Sequence, residues 1–310
     1  MYPARCRCLA LTVMVVWWGL TWGGVATAAS RLKVAATIFP LYDLVRQVAG
    51  AELDVTLLVP PGASPHTVAF TPGTIRALTQ SAAVFAIGHG LDDWVVRMAA
   101  DAGVKQTIRV DHGITLQPSE PAAASQGAEH GQANYHHGAE GSVDPHYWLA
   151  IPNAVQMVRT IATALGRLDP TGQAGYHQRA TSYVAQLQAV DDDIRQVLAE
   201  VPRREIALFH SAFAYFAAAY GLRIVATFEP TPGREPGPRH VEAFLRQVQA
   251  HQLRVLFIEP QFDPGPLQNL ARDLGLRLQT LDPLGGTQER AHYIDMMRFN
   301  ATQMASALRE

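Results

Sequence analysis

The 310-residue chain is 48% hydrophobic and 17% charged, with 27 acidic against 25 basic residues and a net charge of −2. That balance fits one large or two medium soluble domains and gives no basic footprint for nucleic acid. Only two cysteines occur, Cys6 and Cys8, both close to the N-terminus.

Residues 1–29 have a character of their own. Arg5 and Arg7 precede an apolar or neutral run from Leu9 to Leu20, and Val25-Ala26-Thr27-Ala28-Ala29 supplies small residues for a cleavage site. This is the pattern of a secretory signal peptide cut near Ala28 or Ala29; the run falls short of the roughly 20 residues a membrane span needs. Neither cysteine follows the apolar run, where a lipid-modified cysteine would sit, so a soluble exported protein is expected. Its mature form would hold no thiol, and therefore no disulfide and no thiolate-bound metal. Loss of Arg5 and Arg7 leaves 23 basic against 27 acidic residues, a charge of −4.

Next come strand candidates and helical patterns in alternation. Residues 31–38 read as a strand, 41–48 as a helix and 54–59 as a second strand stopped by Pro60-Pro61-Gly62. A helix over 72–78 is opened by Thr71, with Pro72 at its first position. Residues 82–87 read as a strand, 91–100 as a helix and 107–110 as a short strand. Residues 117–142 break the pattern with Pro, Ala, Ser, Gly, Gln and His. A helix is expected over 153–165, then a long one over 172–200, about 40 Å at 1.5 Å per residue. Its apolar positions Tyr176, Ala180, Tyr183, Val184, Leu187, Val190, Ile194 and Leu198 keep three-and-four spacing. The alternation resumes with strands at 206–209, 223–228, 255–258 and 276–280. Between and after them, helices are expected over 212–220, 241–250, 266–274 and 290–308.

The expected fold class is α/β: two lobes, each with a parallel β-sheet flanked by helices, joined by one long backbone helix. The divisions fall at 1–29 for the signal peptide, 30–168 for the N-terminal lobe with its histidine-bearing loop, 169–201 for the linking helix and 202–310 for the C-terminal lobe.

In such sheets ligands bind beyond the carboxyl ends of strands. Four residues stand there: His66 after the second strand, His146 in Asp144-Pro145-His146-Tyr147-Trp148, His210 directly after residues 206–209, and Asp282 after the strand that ends at Thr280. Two come from each lobe, so a cleft between lobes could gather them. Three imidazoles and one carboxylate make a tetrahedral zinc set, and imidazole suits zinc better than manganese. Glu259 could orient a ligand ring from behind. His89 could face the cleft as packing or behind a ligand. His130, His136 and His137 cluster in the polar tract, where weak metal capture is plausible. His112, His177, His240, His251 and His292 stand alone beside polar residues and read as solvated surface.

These motifs resemble those of the cluster A-I metal-binding solute-binding proteins of ABC transporters. Val59-Pro60-Pro61-Gly62-Ala63-Ser64-Pro65-His66 with Phe70-Thr71-Pro72 is similar to the family's first metal motif. Asp144-Pro145-His146-Tyr147-Trp148-Leu149 resembles the second, His210-Ser211-Ala212-Phe213 the third and Leu281-Asp282-Pro283-Leu284 the fourth, while Glu235-Pro236-Gly237-Pro238 resembles a proline loop after a strand. The resemblance implies metal held between two lobes by His66, His146, His210 and Asp282. It also implies an inner-membrane permease and its ATPase as partners, and a periplasmic location. Histidine at the third motif is similar to zinc-type members, where manganese-type members tend to carry glutamate.

The expected function is capture of Zn²⁺ and its delivery to an ABC importer by a monomeric, non-enzymatic protein. Zinc affinity should fall as pH drops through about 6.5, because binding needs neutral imidazoles. The alternatives are a manganese or iron binder of the same family, an exported zinc hydrolase, and a binder of a metal chelate. The hydrolase would need an open metal position and a general base, and no H-E-x-x-H is present. The chelate binder would need an arginine- or aromatic-lined cleft.

Overall fold

A computed structural model describes residues 31–119, 143–263 and 265–309. The leader and His130, His136 and His137 lie outside these residues. No helix among the described residues is long and apolar enough to cross a membrane.

The N-terminal half alternates β1 (Leu32–Ala36), α1 (Phe39–Ala49), β2 (Leu53–Leu57), α2 (Pro72–Thr79), β3 (Ala83–Ala86), α3 (Asp93–Asp101) and β4 (Gln106–Arg109). All its strand pairings are parallel, in the order β2-β1-β3-β4. The inner strand β3, Ala-Val-Phe-Ala, is buried at every position, as a strand covered on both faces must be. In α2 the Thr71 hydroxyl accepts from the Thr74 amide at 3.2 Å and Pro72 fills the first turn, so the helix starts where the sequence signals it.

After the histidine-bearing tract, α4 (Ile151–Leu168) and α5 (Gln173–Ala199) lead into the second half. The sequence of elements there is β5 (Glu205–His210), α6 (Ala214–Tyr220), β6 (Arg223–Glu229), α7 (Pro238–Ala250), β7 (Val255–Ile258), α8 (Gly265–Leu274), β8 (Arg277–Thr280) and α9 (Tyr293–Leu308). Its sheet is again fully parallel, in the order β6-β5-β7-β8. Both sheets thus follow the same winding, first strand inside and second at the edge, and the layout is duplicated without a sequence repeat.

The 27 residues of α5 run ~40 Å. Tyr176, Ala180, Tyr183, Leu187, Val190, Ile194 and Leu198 are its buried positions, and they pack against α4, α1 and α9. One apolar cluster runs from β1, β3 and α1 through α4 and α5 into β5, α6 and α9, so the two lobes share a core along this helix. Smaller clusters cover the outer face of each sheet.

Departures from the expected elements concentrate at proline and at short 3₁₀ turns. Helix α7 begins at Pro238, three residues early, because a first-turn proline has its φ already set for a helix and lacks an N–H that would go unpaired. Pro152 likewise sits in the first turn of α4. The expected 212–220 helix is a 3₁₀ turn over Ser211–Phe213 followed by α6. The last helix starts at Tyr293, behind a 3₁₀ turn at Gln288–Arg290. At the base of the histidine-bearing tract, Pro118 and Val143 form an antiparallel bridge.

Candidate metal centre

His66 lies in the loop that leaves β2, where Ser64 Oγ accepts from its amide at 3.3 Å. His146 stands at the start of the 3₁₀ turn Tyr147–Leu149, and His210 is the last residue of β5. The structure brings these three together: one ring nitrogen from each lies within 4.8 Å of the others. Their ring centroids form a near-equilateral triangle with sides of 5.1, 5.3 and 5.4 Å. His66 Nε2 and His146 Nε2 are 3.3 Å apart. Two nitrogens on a tetrahedral zinc, each 2.0–2.1 Å from it, are separated by ~3.3–3.4 Å.

Two of the rings are held from behind by carboxylates. Asp144 Oδ1 accepts from both the amide and Nδ1 of His146, each at 2.8 Å. Glu259, at the end of β7, meets Nδ1 of His210 at 3.1 Å. All four of these side chains are buried. A carboxylate on Nδ1 fixes the tautomer that leaves the Nε2 lone pair free for a metal. Glu259 was anticipated in this position. In the sequence Asp144 stands out only as part of a motif; its spacing of two residues from a histidine, across a proline, is the local signal of this pairing.

The segment 144–149 is pinned on several sides. Tyr215, on α6, receives a hydrogen bond from the Gln117 amide at 2.8 Å and donates to the Asp144 carbonyl at 3.0 Å. Tyr147 donates to the Ile87 carbonyl at 2.9 Å. Trp148 packs its ring 5.3 Å from that of His146, and Phe262 lies 6.0 Å from His210. A small void of about 10 Å³ borders His66, His146, Trp148, Glu259 and Gln261. Glu229, beside His210 in the sheet, is held above the usual carboxylate range by burial, an effect partly offset by the Gly233 amide and by His210.

Asp282 follows β8 as expected but stands outside the histidine group; its carboxylate is engaged by Gln261, Arg290 and the amides of Leu284 and Gly285. His89 bonds Asp111 at 2.7 Å and rests its ring edge against Tyr147, away from the three rings. His112, His177 and His292 are exposed. His240 and His251 are not the solvated residues expected. Both are half-buried, with His240 Nε2 2.8 Å from the Thr227 carbonyl and His251 paired with Glu205 at 3.3 Å. Each sits at one end of α7, where the sheet gives its ring a partner.

Several known proteins resemble this chain. The "High-affinity zinc uptake system protein ZnuA" of Bacillus subtilis is 25% identical over 296 residues, covering 93% of this chain and 91% of that protein. The "Zinc-binding lipoprotein AdcA" of Streptococcus pneumoniae is also 25% identical over 283 residues; the chain spans 55% of its length. Among solved structures, one described as ZnuA superposes with a TM-score of 0.76 at 26% identity, covering 90% of this chain and 99% of that one. FpvC from Pseudomonas aeruginosa, solved with Mn²⁺, has a TM-score of 0.77 at 27% identity with the same coverage. The family model for the periplasmic component A of zinc-uptake complexes matches residues 34–307, nearly the whole described protein. This chain therefore belongs to the zinc-uptake component A family of metal-binding solute-binding proteins.

Proposed function

We propose that this protein captures Zn²⁺ with His66, His146 and His210 and delivers it to the permease and ATPase of an inner-membrane ABC importer. The observation that carries this reading is the convergence of three imidazole nitrogens, two of whose rings are braced by carboxylates. Such a set matches zinc in number, donor type and spacing. The names of the Bacillus and streptococcal relatives point the same way. Uptake requires export, and the leader over residues 1–29 supplies a route to the periplasm, with cleavage near Ala28 or Ala29. The protein acts as a carrier, not an enzyme: Asp144 and Glu259, the carboxylates nearest the rings, are committed to His146 and His210 and are not placed as general bases.

A manganese reading has one observation in its favour, the likeness to the Mn²⁺ complex of FpvC. Manganese leans on carboxylate and water oxygens, and the grouped side chains here are all histidine.

Metal analysis of protein recovered from the periplasm, with zinc titration of the stripped form, tests the proposal. One tightly held zinc per chain, lost in His66→Ala, His146→Ala and His210→Ala, is expected. Any weaker additional zinc should disappear when residues 130–137 are removed. Manganese in the purified protein, or zinc binding indifferent to the three substitutions, would overturn it.

A further inference from the structure

Asp282 is 1% exposed and its carboxylate has four donors. Gln261 Nε2, Leu284 N and Gly285 N reach Oδ1 at 3.0–3.1 Å. Arg290 Nε reaches Oδ2 at 2.8 Å. The backbone is clamped as well: Asn300, fully buried, accepts from the Asp282 amide and donates to its carbonyl, both at 2.8 Å. Arg290 is in turn fixed, with its guanidinium 4.4 Å from the Phe299 ring centroid and its side chain 12% exposed. Its other acidic neighbour, Glu289, is 3.6 Å away and 83% exposed. Gln261 faces two ways, bonding Asp282 and bordering the void beside His66 and His146.

We infer that Arg290 is a specificity-determining residue of this site, holding Asp282 off the three histidines so that the metal meets only neutral imidazoles from the protein. The inference rests on the zinc-capture reading above and assigns the origin of its selectivity. A hydrogen bond between charged groups is about twice as strong as one between neutral groups, and at Oδ2 the guanidinium provides it. With Arg290 in place, the carboxylate is neutralised and kept apart. Without it, Oδ2 loses its donor, and a negative oxygen is left on the residue next to Pro283 and Leu284, which border the void. A carboxylate oxygen raises affinity for manganese more than for zinc, which is already served by imidazole. The fourth metal position is then left to solvent in the native protein and to Asp282 when the arginine is gone.

Zinc and manganese dissociation constants should be measured, by competition with a chromophoric chelator, in the wild type, Arg290→Met, Arg290→Lys, Asp282→Asn and Arg290→Met with Asp282→Asn. The methionine keeps apolar bulk over Phe299, and the lysine keeps the charge. Arg290→Met is expected to lower the zinc-over-manganese preference by about 10-fold or more, the scale on which residues behind metal ligands act. The double variant should return it to the wild-type value, and Arg290→Lys should hold most of it. The visible spectrum of the Co²⁺ form should change in Arg290→Met and revert in the double variant, a response that loss of packing alone does not produce. Asp282→Asn by itself should leave zinc affinity close to that of the wild type, since Asp282 stands outside the three grouped histidines and no ligand is lost. An unchanged preference in Arg290→Met, or a tenfold loss of zinc in Asp282→Asn, would overturn the role of Arg290 while wild-type zinc binding lost in His146→Ala kept the capture reading intact. If Arg290→Met does not fold, Asp282→Asn and Arg290→Lys decide the matter on the same criteria.

Discussion

The indole Nε1 of Trp148 donates to the carbonyl of Pro283 at 2.8 Å, joining a residue two beyond His146 to the residue next to Asp282. The bond crosses from the N-terminal lobe to the C-terminal lobe. Its neighbour is a second crossing: Tyr293, at the start of α9, donates to the Trp148 carbonyl at 2.6 Å, while its own amide donates to Asp43 of α1 at 2.8 Å. All of these side chains are buried, so the seam beside the three histidines is stitched by bonds that water does not replace. Together with the core shared along α5, the stitching argues for lobes that tilt slightly instead of swinging apart.

Trp148→Phe tests that seam. A smaller aromatic ring remains and the Pro283 carbonyl loses its donor, which by itself costs about 1–3 kcal/mol for a buried group. Thermal unfolding should show the loss, and zinc should leave the variant faster than the wild type, because the His146 segment is less firmly held. A variant with wild-type Tm and zinc off-rate would show that the bond has no mechanical role.

The carboxylates behind the rings are a separate determinant. Asp144→Asn and Glu259→Gln remove the charge that orients His146 and His210 while leaving side-chain volume nearly unchanged. Each should weaken zinc binding by roughly 10–100-fold. An affinity unchanged in both variants would mean that the rings are held by packing against Trp148 and Phe262 and not by their Nδ1 partners.

Much of this site was legible before the fold was known, because its residues sit at strand ends and strand ends follow from simple alternation. His210 closes Ile206-Ala207-Leu208-Phe209, and His66 follows a strand stopped by two prolines; both signals are local. What the sequence could not convey was which partners the polar groups choose. Asp282 is as well placed along the chain as His210, yet Arg290, eight residues later, takes its carboxylate. That pairing depends on how Gly285 and Gly286 turn the loop back, a three-dimensional outcome with no periodicity to announce it. His240 and His251 failed as surface residues for the same reason, since their partners come from Thr227 and Glu205 in neighbouring strands.

The entry to α5 carries a pH-sensitive contact of its own. The Asp169 carboxyl is held below the usual carboxylate range, first by the Thr171 hydroxyl at 2.5 Å and next by the Tyr176 hydroxyl at 2.7 Å. A depressed folded-state value means that the contribution is fully present above the unfolded aspartate value of about 3.9 and is lost as pH falls through the lower folded value. The Tm difference between wild type and Asp169→Asn should therefore hold steady from neutral pH down to about pH 5 and shrink below about pH 4. A difference of equal size at neutral pH and at about pH 2.5 would mean that the stabilisation is not ionic.

Gly286 allows a close approach between the lobes near the three histidines, and its replacement should disturb that approach in a measurable way. Its φ is 84°, and a Cβ there would meet Phe39 ring carbons at 3.0 Å and Pro61 Cβ at 3.1 Å. Pro61 belongs to the loop that carries His66, while Gly286 belongs to the loop that carries Asp282. Gly286→Ala combines left-handed backbone strain of about 1–2 kcal/mol with a clash that only loop movement relieves. The variant should lose stability and also bind zinc more weakly, because pushing Pro61 away displaces His66 from the other two rings. Loss of stability with zinc affinity intact would separate the two loops and show that His66 keeps its place without help from the opposite lobe.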